Sequence, residues 1–95
     1  MDAGIGGATA EVVGKKLKEV SSYQQVICIT HLAQIAGFAD THYTVAKSTR
    51  EGRTVTSMER LSADERVMEI ARMLSGERIT ETTINHAKEI IESSI

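Results

Sequence analysis

The stretch QVICIT, residues 25–30, decides the fold class of this chain. Its centre, Val26-Ile27-Cys28-Ile29, is an unbroken apolar run that is rich in β-branched residues. Such a run is typical of a strand that is covered on both faces, as in a parallel sheet. We therefore predict a buried strand here, and we expect Cys28 to be a small buried hydrophobic residue rather than a catalytic thiol.

An amphipathic helix precedes this strand, from about Gly7 to Val20. Apolar side chains recur along it at helical spacing, while charged side chains occupy its other faces. The apolar stripe consists of Ala10, Val13, Leu17 and Val20. A helix followed by a buried strand predicts an α/β fold.

Residues 42–60 have the pattern of an antiparallel hairpin. Residues 42–47 resemble a strand, and residues 54–60 mirror them across the sequence Arg50-Glu51-Gly52-Arg53. Gly52 can supply the positive φ that a tight hairpin turn needs. We expect the polar residues to lie on the exposed side of this hairpin.

The carboxyl-terminal third predicts two amphipathic helices, over 63–75 and 81–93. Ser62 and Glu65 have the spacing of a capping box at the start of the first helix. Thr80 can cap the second helix in the same way. We expect both helices to pack on the sheet, within a single small domain.

Length and composition exclude several classes of protein. The chain has 95 residues and a net charge of −2, so it has no overall attraction to nucleic acid or to an anionic membrane. Its single cysteine excludes an internal disulfide. No apolar stretch approaches the length of a membrane span or resembles a signal peptide, so we expect a cytoplasmic protein.

The glycine-rich start raises the question of a phosphate-binding loop. Gly7 and Gly14 are too far apart for a P-loop, and Lys15 is followed by Lys16 instead of Ser or Thr. The dinucleotide-binding pattern Gly-x-Gly-x-x-Gly would require a glycine at Thr9. Neither motif fits, so this segment is not a nucleotide cradle in itself.

The three histidines, His31, His42 and His86, lie on different predicted elements, and their spacing is not that of metal ligands. We interpret His42 and His86 as surface or edge residues. His31 directly follows the predicted strand at its carboxyl end, where ligands of open α/β sheets collect. Two interpretations stay open: a helix-capping or partly buried residue, or a hydrogen-bond donor to a phosphate oxygen or an attacking water.

Three segments carry a resemblance to a known family. They are DAGIGGATAEVVGKKLKEV (2–20), QVICITHLAQIAGFAD (25–40) and GRTVTSMERLSADERVMEIARMLSGERITETTINHAKEII (52–91). Together they resemble the carboxyl-terminal end of the RecN family of bacterial DNA repair proteins. The family is similar to structural-maintenance-of-chromosomes proteins, with an ABC-type ATPase head that a long coiled coil splits. The resemblance implies that the chain is the carboxyl-terminal part of a P-loop ABC-type ATPase head.

The same resemblance implies a set of site residues. The segment Asp2-Ala3-Gly4-Ile5-Gly6-Gly7 looks like the D-loop, which lines the interface between two heads with ATP sandwiched between them. His31, in ICITHLAQIA, matches the switch histidine, which contacts the γ-phosphate or the attacking water. Gln34 is a second candidate for the same neighbourhood. No metal ligand is implied within the chain.

For the intact protein, the resemblance implies ATP and Mg²⁺ as ligands. The implied partners are the amino-terminal lobe with its P-loop, a second head in a homodimer, and DNA; no membrane partner is implied. The implied location is the cytoplasm, on the nucleoid after DNA damage. The chain itself lacks the P-loop, the signature motif and the Walker B acids, so we expect it alone to be inactive. The alternative is a non-catalytic module for protein interaction or self-association.

Overall fold

The computed structural model describes residues 7–94, which form four helices and a hairpin. In chain order the elements are α1 (Gly7–Val20), α2 (Ala33–Ala36), β1 (Tyr43–Arg50), β2 (Arg53–Arg60), α3 (Ala63–Ser75) and α4 (Glu81–Ser93). The fold is α/β, as predicted, with the expected hairpin and flanking helices. The helices predicted over 7–20, 63–75 and 81–93 coincide with α1, α3 and α4.

Side-chain caps define where α3 and α4 begin. The Glu65 backbone N–H donates to Ser62 Oγ at 3.2 Å, and Glu65 Oε1 accepts from the Ser62 backbone N–H at 2.9 Å. Thr80 and Thr83 form the equivalent reciprocal pair at α4. Each box satisfies backbone donors that the first helical turn leaves without an intrahelical partner. The predicted caps of both helices are therefore confirmed.

The hydrophobic core lies between α2, α3 and α4. Its fully buried members are small, apart from one large side chain at its centre, Ile70, which has no exposed surface. The core residues are Ala33, Ile70, Ala71 and Ala87, with Val67, Met73, Leu74, Ile79, Ile84, Ile90 and Ile91 packed around them. The helices pack on one another, so the expectation that α3 and α4 pack on a sheet is wrong.

Helix α1 is attached to this core through α2 and the residues after it. Gly14 is buried against the ring of Phe38, and a Cβ at position 14 would lie 2.7 Å from Phe38 Cε2. Carbon atoms in contact are normally about 3.5–4.0 Å apart, so only glycine permits this approach. Lys18 also donates a hydrogen bond to Asp40 from the same helix. Gly14, which was considered above as a possible P-loop glycine, therefore serves the packing of α1 against Phe38.

The hairpin projects from the helices. Of its sixteen strand residues, Thr44 is partly buried and the rest are exposed. The strands pair in the register Tyr43↔Arg60 to Arg50↔Arg53. At the turn, Glu51 and Gly52 have φ of +50° and +75°, which is the type I′ arrangement. The expected glycine is present, and a second residue with positive φ precedes it.

The prediction of a buried strand at residues 25–30 is wrong. The segment has no regular secondary structure and pairs with no strand of the part that the structure describes. Ile27 is 84% exposed and Ile29 is 98% exposed, and Cys28 is exposed as well. A buried parallel strand needs neighbouring strands and helices over both faces. The two described strands pair only with each other, so no strand in residues 7–94 lies beside this run, of which only Val26 and Thr30 are partly buried.

Candidate functional site

The candidate site is the turn around His31, which follows residues 25–30. Thr30 Oγ1 accepts a hydrogen bond from the Leu32 backbone N–H at 3.0 Å, across the bend at His31. Ser and Thr commonly fix turns in this way, by bonding to the backbone two residues on. Leu32 is extended, with φ of −97° and ψ of 118°, and α2 begins at the next residue. The backbone on both sides of His31 is therefore held.

His31 itself is exposed at this turn. Exposure excludes the interpretation of a partly buried residue, and the cap position of α2 is occupied by Leu32. His31 lies one residue before this N-cap, so the interpretation of His31 as the cap residue is wrong. What remains is an accessible imidazole on a backbone turn, able to donate a hydrogen bond or carry a positive charge.

The structure brings two of the predicted site segments together. A Cβ at Gly7, the last residue of the predicted D-loop, would lie 3.7 Å from Gln34 Nε2. The start of α1 therefore lies beside α2, which begins two residues after His31. The other predicted D-loop residues, 2–6, lie outside the described residues. Gly7 and Gln34 therefore lie side by side, and Gln34 is three residues after His31.

The described residues do not fit a metal ion. Within residues 7–94 no group of three His, Cys, Asp or Glu side chains is placed to hold one. Mg²⁺ binds through carboxylates and phosphate oxygens in near-octahedral geometry. We therefore assign no step to Mg²⁺ on these residues. No helix in the same range is long and apolar enough to span a membrane.

A second polar cluster, which the sequence did not predict, lies where the hairpin leaves the helices. Arg66 Nη2 donates to the backbone carbonyls of Ala36 at 3.2 Å and Gly37 at 2.8 Å, at the end of α2. Helix ends leave such carbonyls without intrahelical donors, and Arg66 satisfies them. Burial lowers the pKa of Arg66, and the nearby Asp40 carboxylate opposes this effect. Arg66 joins α3 to α2 and so fixes the site turn relative to the core.

His42 belongs to this cluster and is half-buried, which corrects its interpretation as a surface or edge residue. Its Nδ1 is buried without a hydrogen-bond partner among the described residues. Burial lowers the pKa of His42, the Arg66 charge lowers it further, and Glu69 opposes both. The imidazole is therefore held neutral at lower pH than usual. His86, by contrast, is exposed on α4, as expected.

An open groove of about 580 Å³ borders this cluster. Its walls come from the connection before β1, the end of β2 and the first turn of α3. The residues that line it are Asp40, Thr41, His42, Arg60, Leu61, Ser62, Ala63, Glu65 and Arg66. One signal in the sequence points to Arg66: it precedes the buried Ile70 by four residues, which places both on one face of α3.

Comparison with known proteins identifies sequences that are similar along the whole chain. The DNA repair protein RecN of Bacillus subtilis is 44% identical over 94 residues, which are 99% of this chain and 16% of that protein. RecN of Vibrio cholerae is 46% identical and RecN of Deinococcus radiodurans 48% identical, each over 91 residues. No protein family model matches the chain. The chain thus spans 16% of the length of these relatives, at their carboxyl-terminal end.

Proposed function

Because the chain belongs to the RecN family as its carboxyl-terminal part, we propose that it completes the ATPase head of a DNA repair protein. In this proposal the residues before α1 form the D-loop at a head–head interface, and His31 is the switch histidine. The intact protein acts in repair and recombination at DNA double-strand breaks. The name of the relatives supports the repair role, and the ATPase role rests on the resemblance.

One observation carries the assignment of His31. It is an exposed imidazole on a turn whose backbone is held by Thr30 on one side and by α2 on the other. Phosphoryl transfer depends on positioned groups that stabilise the charge developing on the phosphate and orient the attacking water. An imidazole on a held backbone meets the requirement for positioning, while the phosphate cradle and Mg²⁺ site belong to the other lobe.

The interior of the chain explains how this turn keeps its place. Ala33, at the start of α2, is buried in the core, and Arg66 holds the carbonyls at the end of α2. The turn is therefore anchored by packing at one point and by hydrogen bonds at another. Gln34 lies between these anchors and beside Gly7, which is consistent with an accessory role at the junction of the D-loop and the switch segment.

The test is ATP hydrolysis by a chimera in which this chain replaces the matching residues of Bacillus subtilis RecN. We expect His31→Ala to lower kcat by about 10²- to 10³-fold, the usual effect of removing one positioned donor. His86→Ala is the matched control, since His86 is an exposed histidine on α4. The chain alone should not hydrolyse ATP.

Unchanged turnover in the His31→Ala chimera, with circular dichroism equal to that of the unsubstituted chimera, contradicts the switch-histidine assignment. Equal losses in the His31→Ala and His86→Ala chimeras contradict it as well, because they indicate a general defect. If the unsubstituted chimera hydrolyses ATP at the same rate as native RecN, the chain can serve as the carboxyl-terminal part of the head.

The second candidate function, a module for protein interaction or self-association, is favoured by the exposed apolar segment. Ile27 and Ile29 are almost fully exposed, and residues 25–30 make no backbone hydrogen bonds within the part of the chain that the structure describes. Unpaired strand edges with apolar side chains invite pairing with another chain. In the intact protein this segment pairs with the remainder of the head, so the two functions are compatible. His31→Ala distinguishes them, because an interaction module does not need the imidazole.

A further inference from the structure

The projecting hairpin has no role in the site around His31. Strands β1 and β2 contact each other, and none of the described helices packs against them. A two-stranded hairpin is marginally stable by itself, and this one presents nearly all of its side chains to solvent. Its geometry therefore suits a surface that contacts another molecule.

The far half of the hairpin, residues 47–56, concentrates positive charge; we call it the hairpin tip. It contains the three cations Lys47, Arg50 and Arg53 and one acid, Glu51, which amount to a net charge of +2. The remaining residues carry eight basic and twelve acidic side chains, a net charge of −4. The charge of the chain is thus divided between a basic tip and an acidic body, which the overall value of −2 conceals.

The tip cations lack the carboxylate partners that several basic residues of the helices have. On the helices, Lys15 pairs with Glu11, Lys16 with Glu19 and Arg72 with Glu69. No cation of the tip forms an ion pair with any residue in 7–94.

The strand register increases this concentration of charge. Arg50 and Arg53 are directly opposite each other, and like charges in that position destabilise a hairpin. The fold thus keeps a pair of repelling guanidinium groups at its most exposed end. An anionic partner that accepts hydrogen bonds from both of them relieves this repulsion.

The side chains around the tip cations are hydroxyls. Thr49, Thr54 and Thr56 share one face of the hairpin with Lys47, and Ser48 shares the other face with Arg50 and Arg53, so both faces of the ribbon carry a cation and a hydroxyl. Arg, Lys, Ser and Thr are the side chains that most often contact the phosphate oxygens of nucleic acid. A two-stranded β-ribbon also has the width that the major groove of duplex DNA admits. The charge, the hydrogen-bonding groups and the shape of the hairpin tip therefore all favour duplex DNA as its partner.

From these observations we propose that the hairpin tip docks on the phosphate backbone of duplex DNA through Lys47, Arg50 and Arg53. The proposal rests on the proposed function for the choice of DNA among polyanions. It gives the hairpin a task that is separate from ATP hydrolysis, because the tip and the His31 turn lie on different elements. Contacts of this kind set position and affinity and carry no sequence preference.

The test is fluorescence anisotropy of a labelled 30-base-pair duplex titrated with the 95-residue chain, at salt concentrations from about 50 to 200 mM. The tip variant is Lys47→Gln, Arg50→Gln and Arg53→Gln. The charge-matched control is Lys15→Gln, Lys16→Gln and Lys88→Gln, on α1 and α4. A third variant, Arg50→Lys with Arg53→Lys, keeps the charge. Circular dichroism verifies that each variant is folded, and a labelled poly-glutamate peptide is titrated as a second polyanion.

We expect the tip variant to bind duplex DNA at least about tenfold more weakly at 50 mM salt, and to reduce the slope of log K against log salt by about 2 to 3. The control and the charge-keeping variant should remain within about twofold of the unsubstituted chain, in line with a point-charge contribution.

The proposal is overturned if the unsubstituted chain does not bind the duplex at 50 mM salt, or if the tip variant and the control lose affinity equally. Tighter binding of poly-glutamate than of DNA overturns it in favour of an acidic protein partner. Failure here together with loss of turnover in the His31→Ala chimera removes the DNA contact and leaves the ATPase proposal standing. Weaker DNA binding by the tip variant together with unchanged turnover in the His31→Ala chimera supports the DNA contact and contradicts the switch-histidine assignment.

Discussion

Substituting Gly14 with alanine tests how α1 is attached to the core. A Cβ at position 14 would lie 2.7 Å from Phe38 Cε2 and 3.2 Å from Phe38 Cγ, where contacts of about 3.5–4.0 Å are normal. The ring or the helix must therefore move, and such overpacking costs about 1–3 kcal/mol. Alanine is better than glycine inside a helix by about 1 kcal/mol, which offsets part of this cost. We expect Gly14→Ala to lower the free energy of unfolding by about 0–2 kcal/mol.

A double-mutant cycle with Phe38→Ala isolates the contact. Without the ring, Gly14→Ala should show only its helix propensity and raise the free energy of unfolding by up to about 1 kcal/mol. The coupling energy between the two positions is then about 1–3 kcal/mol, well above the error of such cycles. Urea unfolding followed by circular dichroism measures it, since the chain contains no tryptophan. Trimethylamine N-oxide in the buffer keeps the weaker variants folded.

The reasoning is refuted if Gly14→Ala stabilises the chain equally in both backgrounds. That outcome would mean that Phe38 does not approach α1 as closely as the structure has it. A loss of stability that is equal in both backgrounds also contradicts the contact, because the overpacking would then involve some other residue.

Two further predictions concern the ends of elements. Ser62→Ala should lower the free energy of unfolding by about 1 kcal/mol at neutral pH, measured by urea unfolding. The Ser62 backbone and side-chain hydrogen bonds lower the pKa of Glu65, so this acid stabilises the fold above its unfolded-state pKa. The contribution is lost as the pH falls through the lowered pKa, so the difference in unfolding free energy between Glu65→Ala and the unsubstituted chain should shrink below about pH 4; a constant difference contradicts the assignment. Glu51→Asn should raise the thermal midpoint, because Asn tolerates the positive φ of the type I′ turn better than Glu; a lower midpoint contradicts that turn geometry.

The local sequence was sufficient to predict the elements that are stabilised by interactions between residues close together in the chain. The capping box of Ser62 and Glu65, the turn at Gly52 and the apolar stripes of α1, α3 and α4 each depend on residues within about four positions of one another. Their backbone and side-chain partners are neighbours in the chain, so the pattern predicts the bounds of these elements.

Properties that depend on distant residues were not predictable in this way. The apolar run at 25–30 has the composition of a buried strand, yet burial requires neighbouring strands, which the part of the chain that the structure describes does not provide. The half-buried state of His42 arises from its contact with α3, and neither residue spacing nor composition contains that contact. Even the overall charge was misleading, because it averages a basic hairpin tip with an acidic body.

By itself, then, the sequence determined the helices and the hairpin, because capping, turn geometry and periodicity act over a few residues. Its resemblance to known sequences indicated the family. Only the tertiary structure decided that the helices pack on one another while the hairpin projects from them, and that Gly14 serves the contact with Phe38. Those features depend on which apolar faces meet in space. Several arrangements of the helices can bury the same apolar stripe, and the arrangement that forms is the one in which the side chains fill the core without steric overlap.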